Sequence, residues 1–241
     1  MGSESLLDVS ELEQSLACSD NHAADLKNLQ RLIQAPEVTA ENKLRLVALY
    51  SLRYEKHSSS ALTSLLDLLT IAGGVPQNKV NSIGRLLAYH HSLQTLPAAG
   101  GFTDLFESAS IFSGARDRLK GLKGVENVYT QHTPRLEATL QNLLKGRLKE
   151  QQYPFVEGAG TTRDKPQDVV VFMIGGTTYE EAKMVAQVNA SVPGVRIVLS
   201  GTSVHNSTTF LEEVEDTVSN WPAAGPNTAG GRLRAEVGRR T

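Results

Sequence analysis

Two short runs near the carboxyl end constrain this chain more than any other feature. Val169-Val170-Val171-Phe172-Met173-Ile174 is bounded by Asp168 and Gly175-Gly176, and Val195-Arg196-Ile197-Val198-Leu199 is launched by Pro193-Gly194. Continuous apolar runs of this length predict strands covered on both faces, as in a parallel sheet. Between them Thr178 and Glu181 form a capping box that opens a helix through about Asn189, which makes a βαβ unit. A last helix around Phe210, Leu211, Val214 and Val218 follows. Two strands alone leave two unpaired edges and cannot make a stable parallel sheet. One other stretch, 125–131, is a candidate strand, and it is short and interrupted by polar residues. The sheet is therefore expected to be completed by residues outside this chain. The chain reads as the carboxyl-terminal part of a larger protein, or as a subunit that completes its fold on a partner.

Upstream, the texture is helical. Ser10 and Glu13 read as a capping box ahead of Leu12 and Leu16, and Leu26, Leu29 and Ile33 continue a helical stripe until Pro36. Leu44, Val47 and Leu52 recur at helical spacing between Glu41 and Lys56. Ser58–Ser60 is expected to cap a helix carrying Leu62, Leu65, Leu66 and Leu69, which Gly73-Gly74 ends. Val80, Ile83 and Leu87 mark another helix, residues 95–103 form a Pro/Ala/Gly loop, and a weaker helix passes through Arg116 to Lys120. Thr133-Pro134 predicts a helix start, with Thr133 as cap and Pro134 in the first helical position. Leu136, Leu140, Leu143 or Leu144, and Leu148 give that helix an apolar face, and Lys145, Arg147 and Lys149 lie near its end. From Trp221 onward periodicity is lost. Arg232, Arg234, Arg239 and Arg240 against Glu236 make 221–241 a basic tail, expected to be disordered.

Composition removes several classes of function. A formal charge of −2 and aromatic residues at 5% leave neither the basic footprint nor the stacking surface of a nucleic-acid binder. The single cysteine, Cys18, excludes internal disulfides and zinc sites built on cysteine pairs, a usage typical of a reducing compartment. No run approaches the roughly 18 apolar residues of a membrane span. Gly2 does not satisfy a myristoylation pattern, because Leu6 stands where Ser or Thr is required. The sequons at Asn189 and Asn206 are read as chance.

Candidate chemistry is sparse. Gly175-Gly176-Thr177-Thr178 joins a strand to a helix, where a nucleotide phosphate can sit, but neither GxGxxG nor GxxxxGK[ST] is present. A tight turn explains the glycines as well. Ser203 and His205 lie beyond the second strand without a G-x-S-x-G elbow, and His205 reads as a loop or capping residue. Cys18 and His22, four apart, supply two metal ligands where a tetrahedral site needs four. His90 and His91 point in different directions on a helix. Glu180-Glu181 and the acids 212–216 lie near helix starts, where carboxylates are stabilising for local reasons. No catalytic, cofactor-binding or metal residue is assigned.

The words of the sequence go further than its patterns. LKGLKGVENVYTQH at 119–132, KGRLKEQQYPF at 145–155, PQDVVVFMIGGTTYEEA at 166–182 and PGVRIVLSGTSVHNSTTFLEEV at 193–214 resemble the Sec/Munc family of SNARE regulators, within its vacuolar protein sorting branch. SELEQSLAC at 10–18 and LRLVALYSLRYEKHSS at 44–59 resemble the helical region that precedes those blocks in the family. The resemblance spans about residues 5–220.

It implies an α+β chain: a helical region over 1–118, the later part of the family's third domain, and an incomplete parallel α/β unit (βαβα) over 119–220. The latter would be the returning part of a discontinuous second domain, followed by the 221–241 tail. It also implies a non-enzymatic regulator of SNARE assembly in vesicle fusion at trans-Golgi and endosomal membranes. Such a protein would be cytoplasmic and peripheral to those membranes, with no cofactor. The expected partners are a syntaxin-type SNARE and the amino-terminal half of the same protein, which carries the family's syntaxin-binding parts, so no residue here inherits a SNARE-binding role. Two alternatives stand beside this reading: a nucleotide- or phosphate-binding α/β enzyme using the Gly175-Gly176 turn, and an inert fragment.

Overall fold

The structure, a computed structural model, describes residues 3–95, 132–150, 152–156 and 166–219. These fall into two compact units, one built on residues up to 95 together with 211–219, the other on 133–210. The strand candidate at 125–131, the helix through Arg116–Lys120, all but the first residue of the 95–103 loop and the 221–241 tail lie outside the described residues.

The first unit is helical. It contains α1 (Ser3–Cys18), α2 (His22–Gln34), α3 (Ala40–Tyr54), α4 (Leu62–Ile71) and α5 (Gln77–Thr95). α3 is the hub and packs against the other four, which is why eight of its fifteen residues are buried rather than a single stripe. Leu16, Leu29, Ile33, Leu46, Tyr50, Leu65, Leu69 and Leu87 are fully buried in one continuous core. Val214, on the helix that ends the described chain, joins that core, and Lys79 pairs with Glu215 at 3.0 Å.

Two helix starts in this unit differ from the sequence expectation, and one cap was not anticipated. Ser10 does not cap: α1 (Ser3–Cys18) already includes it, leaving Ser10 buried mid-helix. The local S-x-x-E pattern is overridden because Val9, Leu12 and Leu16 gain more by packing in one helix than a cap at Ser10 would supply. α1 and α2 instead break at Ser19-Asp20-Asn21. Ser58–Ser60 does not cap α4, whose N-cap is Ala61 without a side-chain bond. Ala61 is fixed from another direction, its N–H donating to the buried Tyr50 hydroxyl at 3.1 Å. The cap the sequence reading missed is Thr39, whose Oγ1 accepts from Asn42 N–H ahead of α3.

A polar network runs through the α1–α2–α3 contact. Asp25, buried, accepts from the Tyr54 hydroxyl at 2.7 Å and from Ser15 Oγ at 2.6 Å. Burial, reinforced by the Asp25 hydrogen bond, pushes the Tyr54 phenol well above its ordinary pKa. His22 Nε2 bonds the Tyr50 hydroxyl at 2.8 Å, and its ring stacks on His57 with centroids 4.0 Å apart. Burial first, and then the neighbouring His57, lower the His22 pKa, while Asp25 and Asp20 pull the other way.

Folding therefore favours the neutral imidazole. Its contribution to stability is complete above the ordinary histidine value near 6.5 and is lost as pH falls below that value. A urea midpoint that declines as pH drops through about 6.5, and declines less in His22→Gln, is the expected result. An equal decline in both proteins would show that other groups carry the pH dependence.

The second unit holds α6 (Arg135–Leu144), β1 (Asp168–Met173), β2 (Thr177–Thr178), α7 (Tyr179–Ser191), β3 (Arg196–Gly201), β4 (Val204–His205) and the start of α8 (Ser207–Ser219). Pro134 is the N-cap of α6 rather than its first residue, and Thr133 makes no cap bond. The ring fixes φ at −57°, and ψ of 139° keeps Pro134 outside the helix. α6 stops at Leu144, so Arg147 and Lys149 follow the helix instead of ending it. β1 and β3 pair in parallel, Val169 opposite Ile197 and Val171 opposite Leu199, and β2 pairs in parallel with β4. The crossover through α7 opens with the expected capping box between Thr178 and Glu181.

Candidate interaction surface

Among the described residues the β1–β3 pair has a helix-covered face and a bare one. On the covered face Val169 and Ile197 pack with Leu140 of α6 and with Met184 and Val185 of α7. Asn189 holds α7 to the sheet through both backbone groups of Ile197: Nδ2 donates to Ile197 O at 2.9 Å, and Oδ1 accepts from Ile197 N–H at 2.8 Å. The Asn189 sequon therefore coincides with a structural clamp. On the other face Val170 and Val198, cross-strand partners, are 74% and 49% exposed, Phe172 is 60% exposed, and Ile174 beyond it is 89% exposed.

This corrects the expectation of two covered faces. Both apolar runs are strands, but their burial alternates. Apolar side chains left bare on a β-surface, beside two strand edges with no further neighbour among the described residues, mark a surface built to be covered.

The turns at the carboxyl ends of the strands are filled by protein. Gly175 N–H donates to Thr202 Oγ1 at 3.1 Å, and Thr177 N–H donates to Ser203 O at 2.9 Å. Thr178 N–H donates to the Glu181 carboxylate at 2.8 Å. The amides of Gly175, Thr177 and Thr178 in the turn thus already have acceptors, one of them an acid, and the Glu181 amide is taken by the Thr178 hydroxyl. Gly176, at φ +101°, faces the His205 imidazole so closely that a Cβ would lie 2.5 Å from His205 Cδ2 and 2.6 Å from Ser203 Oγ. Close packing, rather than a nucleotide, accounts for that glycine.

His205 is buried between Ser203 Oγ at 2.9 Å and Thr209 Oγ1 at 3.2 Å, with Phe210 edge-on at 6.3 Å. Asn206 and Thr209 bond reciprocally, Asn206 N–H to Thr209 Oγ1 and Thr209 N–H to Asn206 Oδ1, as in a capping box ahead of α8. His205 and Phe210 flank that cap in the positions of a hydrophobic staple. The second sequon is thus a helix cap, and His205 is its packing partner.

The remaining sequence candidates are dispersed. Cys18 ends α1 and His22 begins α2, so they share no helix face. His91 bonds Glu55 at 2.8 Å, Glu180 pairs with Lys183, and Glu215 pairs with Lys79. No group of three His, Cys, Asp or Glu able to hold a metal occurs among the described residues. No helix there is long and apolar enough to cross a membrane. The surface that stands out carries no reactive group; it is the bare sheet face.

A family model, the Sec1 family, matches residues 1–213. The chain belongs to the Sec1 family. Vacuolar protein sorting-associated protein 45 of Homo sapiens is 49% identical over 214 residues, 87% of this chain and 35% of the relative. The protein of that name from Schizosaccharomyces pombe is 44% identical over 218 residues, 88% and 37% respectively. The chain spans about a third of the length of the curated relatives it matches. A solved structure of SM protein Vps45 in complex with Qa SNARE Tlg2 superposes with a TM-score of 0.76 at 58% identity, over 90% of this chain and 37% of that one. The Unc18–syntaxin 1 complex from Monosiga brevicollis matches at TM-score 0.62 and 18% identity, over 88% of this chain and 36% of that one. At that identity the likeness shows the fold alone. The α+β arrangement is therefore a fragment of the SM fold, as the residue blocks implied.

Proposed function

We propose that this chain is the carboxyl-terminal part of a Vps45-type SM protein that regulates SNARE assembly by protein–protein binding, without catalysis. The observation that carries the reading is 58% identity to a Vps45 whose structure holds a Qa SNARE. In this reading residues 1–118 belong to the third domain of the SM fold and 119–220 to its second. The bare face around Val170, Phe172 and Val198, with the open strand edges beside it, is where the rest of the second domain packs. The site of action is the cytoplasmic surface of trans-Golgi and endosomal membranes, reached through the SNARE. Assembly of a SNARE bundle needs amphipathic helices aligned beforehand, and a rigid surface lowers the entropic cost of that alignment.

Capture of the chain on an immobilised Qa SNARE, alone and with the amino-terminal two thirds of a Vps45 supplied in trans, tests this reading. Capture that depends on the supplied part, and weakens in Phe172→Asp, is expected. No capture under either condition leaves the inert-fragment reading standing. Saturable binding of ATP, GTP or NAD that Gly176→Trp abolishes would reinstate the enzyme.

A further inference from the structure

The stretch 145–156, directly after α6, combines exposed cations with exposed apolar groups. α6 ends in a Schellman turn: Gly146, at φ +64°, lets its own N–H reach Leu143 O at 3.0 Å while Arg147 N–H reaches Asn142 O at 2.7 Å. That turn leaves Lys145, Arg147 and Lys149 exposed within five residues. A second turn follows, in which Gln152 and Tyr153 N–H groups both donate to Lys149 O at 3.0 Å. The Tyr153 hydroxyl lies 3.2 Å from Thr139 Oγ1, which holds the returning chain beside α6. Tyr153, Phe155 and Val156 are exposed, Val156 at 83%.

Charge separates these cations from others in the unit. Lys183 lies against Glu180 and Arg196 against Asp168. Among the described residues no carboxylate comes within salt-bridge distance of Lys145, Arg147 or Lys149. Compensation of the α6 dipole accounts for a cation near its end. It does not account for three cations without a carboxylate at salt-bridge distance among the described residues, in excess over the one exposed acid of the stretch, Glu150, and beside an exposed phenol, phenyl and isopropyl group. Tyrosine and phenylalanine beside lysine and arginine suit a bilayer interface, where rings settle at headgroup depth and cations meet anionic phosphates.

We propose that Lys145, Arg147 and Lys149, with Tyr153, Phe155 and Val156, form a patch that adsorbs to a bilayer carrying anionic phospholipids. It gives the protein a direct, weak membrane contact that does not depend on its SNARE. Each cation near an anionic surface contributes about fivefold in partitioning, so the three together supply on the order of a hundredfold.

Sedimentation of the full 241-residue chain with phosphatidylcholine vesicles, with and without phosphatidylserine, tests the patch. The tail arginines Arg232, Arg234, Arg239 and Arg240 are changed to glutamine throughout, so that any binding is assigned to the patch. Phosphatidylserine-dependent binding is expected, falling on the order of a hundredfold in Lys145→Gln/Arg147→Gln/Lys149→Gln and weakening with added salt. Phe155→Ser is expected to reduce it by a smaller factor, and circular dichroism melting should be unchanged in both variants. Three outcomes overturn the proposal: no phosphatidylserine dependence, equal binding by the triple variant, or loss of vesicle binding when the amino-terminal part of a Vps45 is added. The last would make the patch an intramolecular contact. Binding of soluble polyglutamate without vesicle binding would identify an acidic protein partner instead. SNARE capture is read separately, so failure here leaves the proposed function untouched.

Discussion

Leu140→Ala is expected to unfold the sheet-bearing unit locally while leaving the five-helix unit intact. Leu140 is 1% exposed and shares its core with Val169, Met184, Val185 and Ile197, the other buried members of that cluster. Truncating a buried leucine costs about 2–5 kcal/mol, the larger values where the surroundings cannot collapse into the gap. Collapse is restricted here because α7 is clamped to β3 through Asn189, which fixes the opposite wall. A core this small has few other contacts to hold the strands against α6 and α7, so the loss is a large share of a typical domain stability of about 5–15 kcal/mol. Native-state hydrogen exchange reads the effect. Amides of β1 and β3 should lose protection, while those of α3, buried in the separate core around Leu46 and Tyr50, should keep theirs. Unchanged exchange in both strands would mean that α6 is not what closes this core.

The same residues show what was legible in the chain and what was not. The 136–140–143/144 leucine stripe, the Thr178–Glu181 box and the two apolar runs are local signals, and each appears as the element it implied because neighbouring residues agree with it. Ser10 shows the limit of such signals. An S-x-x-E word costs nothing to write inside a helix, and only the burial of Val9, Leu12 and Leu16 on one face decides which way it folds. Thr39 and Asn206 were equally short words whose capping bonds became visible once their partners Asn42 and Thr209 were placed.

The covered-or-bare question was beyond the sequence for a different reason. Val170 and Phe172 are as apolar as Val169 and Val171, so composition cannot say that one face meets α6 and α7 while the other meets nothing among the described residues. Periodicity reports what a surface prefers, and chain topology decides what it obtains. In the proposed reading the bare face is met by residues encoded elsewhere, and a strand that serves two coverings is apolar on both sides.

Gly176→Ala should damage the carboxyl-end turns more than Gly175→Ala does, although the two glycines are adjacent and have nearly the same φ, +101° and +99°. Backbone strain from a side chain in this region costs about 1–3 kcal/mol and applies to both. At Gly175 nothing lies within 4 Å of the added Cβ, so strain is the whole effect. At Gly176 the methyl group would lie 2.5 Å from the His205 ring and 2.6 Å from Ser203 Oγ. Because His205 is bonded to Ser203 and Thr209 and packed against Phe210, moving it also disturbs the Asn206–Thr209 cap of α8. Loss of a cap adds about 0.5–2 kcal/mol. The expected total at Gly176 is about 1.5–5 kcal/mol, seen as lost protection of the Thr177 and His205 amides in the β2–β4 ladder, against a milder change at Gly175. A compensating His205→Ala should recover part of the deficit in Gly176→Ala and none in Gly175→Ala, because it removes the steric contact and leaves the strain. Equal penalties at the two glycines, or no rescue, would show that the imidazole yields freely and that conformation alone fixes Gly176.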